Sequence, residues 1–352
     1  MAERIQGRIL SGDLASPVAR FAEPKIDSAQ ILQPTALPGY HIGMRRRYWL
    51  GGAGALTAAG LANAAYRVSP AFWHQFSREI GRPVMPTPLI PNPKQWPDRG
   101  VYAAWLGHST VLLKIDGFTL ITDPVLGERV GIELGLFTLG IKRLTAPALR
   151  TYELPAIDLV LLSHAHMDHM DTPTLRSLES GKTVVVTSPK TSDIFRAARF
   201  KQTHELAWGE RVRVGPLEIR AFEVNHWGAR MRSDTYRGYN GYVIESDGGR
   251  RVLFAGDTAR TGAFRQLRSS KPFDLAIVPI GAYNPWIRFH CSPEEAWSMG
   301  NDAGAERFLP VHHQTFQLSR EPLVEPIERF HEAAGREAGR IAVHTIGQEI
   351  RL

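Results

Sequence analysis

One apolar run, Ile157-Asp-Leu-Val-Leu-Leu-Ser163, ends directly in His164-Ala165-His166-Met167-Asp168-His169. Large apolar residues without a helical period read as a buried, central strand. Three imidazoles and a carboxylate therefore stand where that strand stops. His164 and His166 alternate at strand spacing, so both can face one side. The next turn brings Asp168 and His169 back towards the same space. Neutral imidazole nitrogen and carboxylate oxygen are the donors that borderline divalent metals take. A histidine-containing surface loop is the bland alternative, and the strand in front argues against it by fixing where the side chains go.

A chain of 352 residues can bury a substantial core, as one large domain or two smaller ones. The net charge of +7 permits attraction to anionic lipid headgroups or phosphate-bearing substrates. No RNA- or DNA-reading motif accompanies it, and nucleic acid is not expected as a partner. The single cysteine, Cys291, excludes an internal disulfide framework.

Residues 1–43 have no sustained period and read as a disordered or misassigned extension. At 44–65 a basic cluster, Met44-Arg-Arg-Arg-Tyr-Trp-Leu50, precedes a Gly/Ala-rich run ending in Ala62-Asn63-Ala64. That order is signal-peptide architecture, and the paired arginines look like a twin-arginine export signal. It predicts a periplasmic or cell-envelope location, with cytoplasmic or membrane-associated as the alternative, and Met44 as the true start. Residues 66–97, with Phe72, Trp73, Phe76 and the run Pro83 to Pro97, read as an extended segment wrapping the domain.

From 98 to 352 the pattern is that of one domain. Strands are expected at 101–106, 110–115, 119–122, 183–187, 211–214, 217–224, 239–245, 252–255, 275–280, 308–311 and 341–345. Asp116-Gly117 reads as a hairpin turn. Helices are expected from Pro173, over 192–199, over 293–302 with Ser292 as N-cap, and over 322–334. Residues 124–156 read as a long, irregular, apolar insertion, of the kind that flanks binding sites or simply packs on the domain. Strands in both halves with helices between them suggest two sheets packed face to face under outer helices.

Other polar residues also stand where an apolar strand stops: His226, Asp257 and His312. Groups at neighbouring strand ends converge on one edge of a sheet. Seven such groups suit two metals better than one. Two cations roughly 3.5–4 Å apart can share a hydroxide and lower its pKa towards neutrality. Gly256 would let the backbone turn sharply enough to aim Asp257 inward. Alone, His226 reads equally as a hydrogen-bonded core histidine and Asp257 as a helix cap; the run at 164–169 makes both ligand candidates. His312 and His313 should point to opposite sides, and His312 is the one chosen.

The HxHxDH run resembles the signature of the metallo-β-lactamase superfamily. The match narrows with Trp105-Leu-Gly-His-Ser-Thr110, Leu120-Ile-Thr-Asp-Pro124, Gly256-Asp-Thr258, Pro279-Ile-Gly-Ala-Tyr283, His290, Ser292-Pro-Glu-Glu-Ala296 and Pro310-Val-His-His-Gln-Thr-Phe316. Together these look like the N-acyl-phosphatidylethanolamine-hydrolysing phospholipase D branch, over about residues 94–346. The resemblance implies an αββα sandwich, two mixed sheets flanked by helices. It implies two divalent ions, of zinc by expectation: His164, His166 and His226 on the first, Asp168, His169 and His312 on the second, Asp257 bridging. It implies hydrolysis of a phosphodiester in a phospholipid by a hydroxide bridging the metals, and peripheral contact with a membrane. Asp257, Asp168 and His290 become the candidate catalytic residues, His290 beside the substrate phosphate. Asp123 would orient a ligand histidine from behind; His108 would do likewise or would only pack in its turn.

One departure is His313-Gln-Thr-Phe316, where the family has a Trp-Gly pair, which would alter the pocket wall. Trp227, Met231, Trp286 and Phe289 are candidates for an apolar acyl groove. The alternatives are a lactonase of the same fold acting on a cyclic ester, or a non-hydrolytic envelope protein that keeps the fold; the full ligand set argues against the latter.

Overall fold

The computed structural model describes residues 69–352 apart from Leu136, so the expected extension at 1–43 and signal-like segment at 44–65 lie outside the described residues. Among the described residues, the first strands are β1 (Val101–Gly107), β2 (Thr110–Ile115), β3 (Phe118–Thr122), β4 (Arg129–Glu133), β5 (Thr138–Lys142), β6 (Leu159–Leu161), β7 (Val184–Thr187) and β8 (Gln202–Glu205). There follow β9 (Arg211–Val214), β10 (Leu217–Phe222), β11 (Gly241–Ser246), β12 (Arg251–Phe254), β13 (Leu275–Pro279), β14 (Phe308–Val311) and β15 (Glu349–Arg351). One sheet has the order β15-β1-β2-β3-β6-β7-β8 and the other β14-β13-β12-β11-β10-β9. Both are mixed. The β3–β6–β7–β8 and β12–β13–β14 pairings are parallel and the rest antiparallel.

Two-residue periodicity assigns each side chain to a layer. Tyr242, Ile244, Val252, Phe254 and Ile277 join Leu112, Ile121, Val160 and Val185 in the core between the sheets. Their neighbours Val243, Leu253, Ala276, Val278 and Phe308 form a second core with Phe264, Met299 and Phe330. Those three come from the helices α3 (Ala263–Gln266), α4 (Pro293–Ala303) and α5 (Glu325–Ala334), which follow α1 (Pro70–Glu79) and α2 (Thr172–Ser177) along the chain. The arrangement is the expected αββα sandwich. α4 starts in a capping box of Ser292 and Glu295 and stops at Gly304, which is left-handed at φ 82°. Asp116 and Gly117 both have positive φ, as a tight hairpin between β2 and β3 requires.

Several elements differ from the sequence reading. Residues 70–79 are helical and not extended, because the proline run begins only after α1 has ended. The supposed irregular insertion contains the β4–β5 hairpin. Its strand signal is masked by Gly131 and Gly140, which pair so closely that a Cβ on Gly140 would stand 1.8 Å from the Val130 carbonyl oxygen. The helix expected over 192–199 is only a short 3-10 turn at Ala197–Arg199. There Glu205 accepts the backbone N–H groups of Lys190, Thr191 and Ser192, an alternative to helical bonding. Residues 341–345 form no strand, although Ile341, Ala342 and Val343 are buried. The edge strands β8 and β15 went unread because Gln-Thr-His-Glu and Glu-Ile-Arg lack an apolar alternation. No helix among the described residues is long and apolar enough to cross a membrane.

Candidate metal centre

The polar groups do not line one sheet edge, as the strand-end argument expects; both sheets supply them. His108 follows β1, Asp123 follows β3 and the 164–169 run follows β6 on one side. His226, Asp257 and His312 come after β10, β12 and β14 on the other, with His290 just before α4. Facing strand ends of a sandwich bring them together. Tight corners aim them: His108, Asp123, Gly256 and His312 all have positive φ.

Hydrogen bonds fix which nitrogen each histidine presents. Ser163 Oγ donates to Asp123 Oδ2 at 2.6 Å and so accepts from His164 Nδ1–H at 2.8 Å. His226 Nδ1–H donates to the Phe289 carbonyl at 2.8 Å. Both residues then turn an unprotonated Nε2 inward. These two nitrogens lie 2.7 Å and 3.3 Å from His166 Nδ1. A proton on His166 satisfies at most two of the three; a cation in their midst satisfies all.

A second cluster adjoins the first. His169 Nδ1–H donates to Asp123 Oδ2 at 2.6 Å, which leaves Nε2 facing Asp257 Oδ2 at 3.1 Å and Asp168 Oδ2 at 3.6 Å. His312 Nε2 stands at the same distances, 3.1 Å from Asp257 Oδ2 and 3.6 Å from Asp168 Oδ2. Asp257 Oδ2 is also 3.9 Å from His226 Nε2, so this one oxygen faces both clusters. His169 Nε2, His312 Nε2 and Asp257 Oδ1 are buried without a hydrogen-bond partner among the described residues. So many orphaned donor atoms in one place fit a cation site and are costly otherwise. His164, His166 and His226 form one possible ligand set, and Asp168, His169 and His312 fall in another with His108.

The charges divide in the same way. Burial holds His164 and His226 well below the ordinary imidazole range and pushes His166 down to about 4. Against the opposing pull of burial, Asp257 and Asp168 raise His169 well above that range and His312 to about 9. Despite burial, His169 and its neighbours hold Asp168 and Asp257 well below the ordinary carboxylate range. One cluster is a set of neutral donors; the other draws positive charge into its centre.

His108 donates from Nε2 to Asp168 Oδ2 at 2.9 Å and so sits where it can orient that carboxylate. His313 points away and stacks on Trp105 at 4.6 Å. His290 Nδ1 lies 3.7 Å from Asp257 Oδ2 without a hydrogen bond, and burial pushes this imidazole down to about 4. A cavity of about 430 Å³ opens over the clusters, with Trp227, Trp286, Phe289 and Leu318 in its walls. Met231, expected there, does not line it. Nor does the departing segment 313–316, which supports the site from behind: Thr315 Oγ1 accepts the His108 N–H at 2.6 Å, and Phe316 packs on the His108 ring at 5.2 Å.

Two residues of the site were not singled out by sequence. Ser163 stood in the motif, but its role as relay from Asp123 to His164 needs the folded geometry. Among the described residues Arg230 is the one Lys or Arg lining the cavity; its Nη1 donates to the carbonyls of Ala165 and Met170 at 3.0 and 2.8 Å, clamping the 164–169 loop. Nothing in its spacing from His226 marks it.

Gly256 has φ +59°, and a Cβ there would stand 2.7 Å from the Asn240 carbonyl oxygen and 2.8 Å from Ser163 Cβ. Gly256→Ala is therefore expected to cost about 2 kcal/mol or more, from the left-handed conformation and the clash together. Thermal melting checks it, and an unchanged midpoint would contradict the account of this corner.

The model of the Beta-lactamase superfamily domain matches residues 119–313. An uncharacterised protein of Mycobacterium tuberculosis is 33% identical over 288 residues, covering 79% of this chain and 76% of that one. The N-acyl-phosphatidylethanolamine-hydrolyzing phospholipase D 1 of Caenorhabditis elegans is 30% identical over 255 residues, covering 67% and 70%. Among solved structures, the metallo hydrolase Igni18 of Ignicoccus hospitalis superposes with a TM-score of 0.54 at 20% identity, over 72% of this chain and 99% of that one.

Proposed function

The chain belongs to the β-lactamase superfamily, as a metal-dependent hydrolase in the branch of the N-acyl-phosphatidylethanolamine-hydrolysing phospholipases D, and from that premise we propose that it cleaves a phosphodiester in an N-acyl-phosphatidylethanolamine-like phospholipid. The observation that carries the reading is the placement of two converging donor sets at the floor of an apolar, aromatic-walled cavity. His164, His166 and His226 would hold one divalent ion, by expectation zinc, and Asp168, His169 and His312 a second, with Asp257 shared. Bound there, such ions lower the pKa of a water and polarise a phosphoryl oxygen.

The chain's own residues do the rest. Asp123 and Ser163 hold His164 and His169 in the tautomers that face inward. His108 orients Asp168, and Arg230 keeps the ligand loop in place. His290, beside Asp257 at the cavity wall, is held neutral by burial and offers an N–H hydrogen bond to a substrate oxygen. Trp227, Trp286 and Phe289 exclude water and receive hydrocarbon; their partial exposure at the mouth suits a substrate drawn from a lipid surface.

The test is metal content together with turnover of the full chain. The substrates are bis(p-nitrophenyl) phosphate, an N-acyl-phosphatidylethanolamine in micelles, and an acyl-homoserine lactone. About two divalent ions per chain are expected, with cleavage of both phosphodiesters lost on chelation and restored by zinc. Lactone cleavage alone would replace this reading with that of a lactonase.

A further inference from the structure

A second hollow, of about 360 Å³, adjoins the metal cavity and shares Met167, Asp168 and Leu318 with it. Its remaining walls come from Phe72 of α1 and from Val130, Ile132, Leu139 and Ile141 of the β4–β5 hairpin. The register explains why these four gather. Val130 pairs with Ile141 and Ile132 with Leu139, and residues two apart on each strand share a face. The hairpin thus turns one wholly apolar face towards the site. Asp168 is the one charged group in the lining among the described residues, and it accepts a hydrogen bond from His108. Ile132 nonetheless remains 45% exposed, so this face is left partly uncovered among the described residues.

We propose that this hollow is a chain-binding subsite, which takes a hydrocarbon arm of the ester whose phosphoryl group lies at the metal centre. The proposal rests on the reading of the site as a phosphodiesterase and assigns one arm of its substrate to a place in the fold. The occupant follows from continuity: both hollows border Asp168, and the apolar Met167 and Leu318 line both of them. One arm lies against Trp227 and Phe289, the other against the hairpin. The hairpin and α1 become specificity elements, selecting esters with hydrocarbon on both sides of the phosphate.

The experiment compares p-nitrophenyl ethyl phosphate with p-nitrophenyl octyl phosphate, both as monomers, on the full chain. Each methylene that enters the hollow is expected to raise kcat/KM roughly threefold, so with six more methylenes the octyl ester should be preferred by roughly several hundred-fold. Ile132→Asp puts an unpaired carboxylate in the wall and should lower the octyl-to-ethyl ratio about tenfold or more. Leu139→Trp fills the hollow and should do the same, which decides the matter if the first variant fails to fold. Calorimetric affinities for octylphosphonate and ethylphosphonate give the same ratio without turnover. Equal rates for the two esters, or a ratio unchanged in both folded variants, would overturn the subsite. Absence of all phosphodiester cleavage would instead remove the parent reading, and the phosphonate affinities would still decide the hollow.

Discussion

Asp257→Asn is expected to abolish hydrolysis and to strip the metal centre. The Asp257 Oδ2 atom faces His169 and His312 Nε2 at 3.1 Å and His226 Nε2 at 3.9 Å, so it belongs to both clusters. Its second oxygen is buried with no partner. Asparagine has nearly the same shape, but it removes the negative charge that offsets two cations and puts an N–H2 group among nitrogen donors. Both ligand sets lose a member at once. The loss of rate should therefore exceed the ~10–100-fold that groups behind a metal site typically cost when replaced. Bound metal per chain and the rate on bis(p-nitrophenyl) phosphate, measured on one preparation, check this. A variant that keeps its metal and stays within tenfold of the parent rate would remove Asp257 from the centre. Retained metal with lost turnover would keep it there as a catalytic residue and not an anchor.

That the converging imidazoles and carboxylates could be picked out in the sequence has a physical cause. A metal site needs particular donor atoms, and a buried strand leaves its end residues little freedom. The run 164–169 therefore announces itself, and His226, Asp257 and His312 follow as polar residues just beyond apolar strands. The choice of His312 over His313 depended only on alternation, and the two rings do point apart. The hairpin at 129–142 was hidden because Gly131 and Gly140 carry no side chain to mark a strand, while its apolar residues looked like a loop. α1 was hidden behind the prolines that follow it. Arg230 and Ser163 act through contacts to residues distant in sequence, and such contacts leave no local pattern. The segment 313–316 misled in the opposite sense: it differs from the family pattern beside a ligand, yet it lies behind His108 and not in the cavity wall. Proximity in sequence to a ligand gave its place, not its facing.

The same distinction between holding a group and touching substrate governs Asp123. It is fully buried and accepts three hydrogen bonds, from the Ser163 N–H at 2.7 Å, Ser163 Oγ at 2.6 Å and His169 Nδ1 at 2.6 Å. Asp123→Ala orphans all three donors in a dry interior, at ~1–3 kcal/mol apiece, so a total of about 3 kcal/mol or more is expected. For a domain of this size that corresponds to a fall in melting temperature of roughly 5–10 °C. Asp123→Asn separates stability from function. Its amide oxygen can still accept from Ser163, so much of the stability should remain. Its N–H2 group, facing His169, favours the tautomer with the proton on Nε2, where a metal needs a lone pair. Metal affinity in Asp123→Asn should fall ~10–100-fold while the melting temperature of the metal-free chain changes much less than in Asp123→Ala. If both variants lose stability equally and bind metal as the parent does, Asp123 supports the fold alone. If asparagine weakens metal binding in a chain that still melts near the parent temperature, the carboxylate sets the histidine tautomers from a position that no substrate reaches.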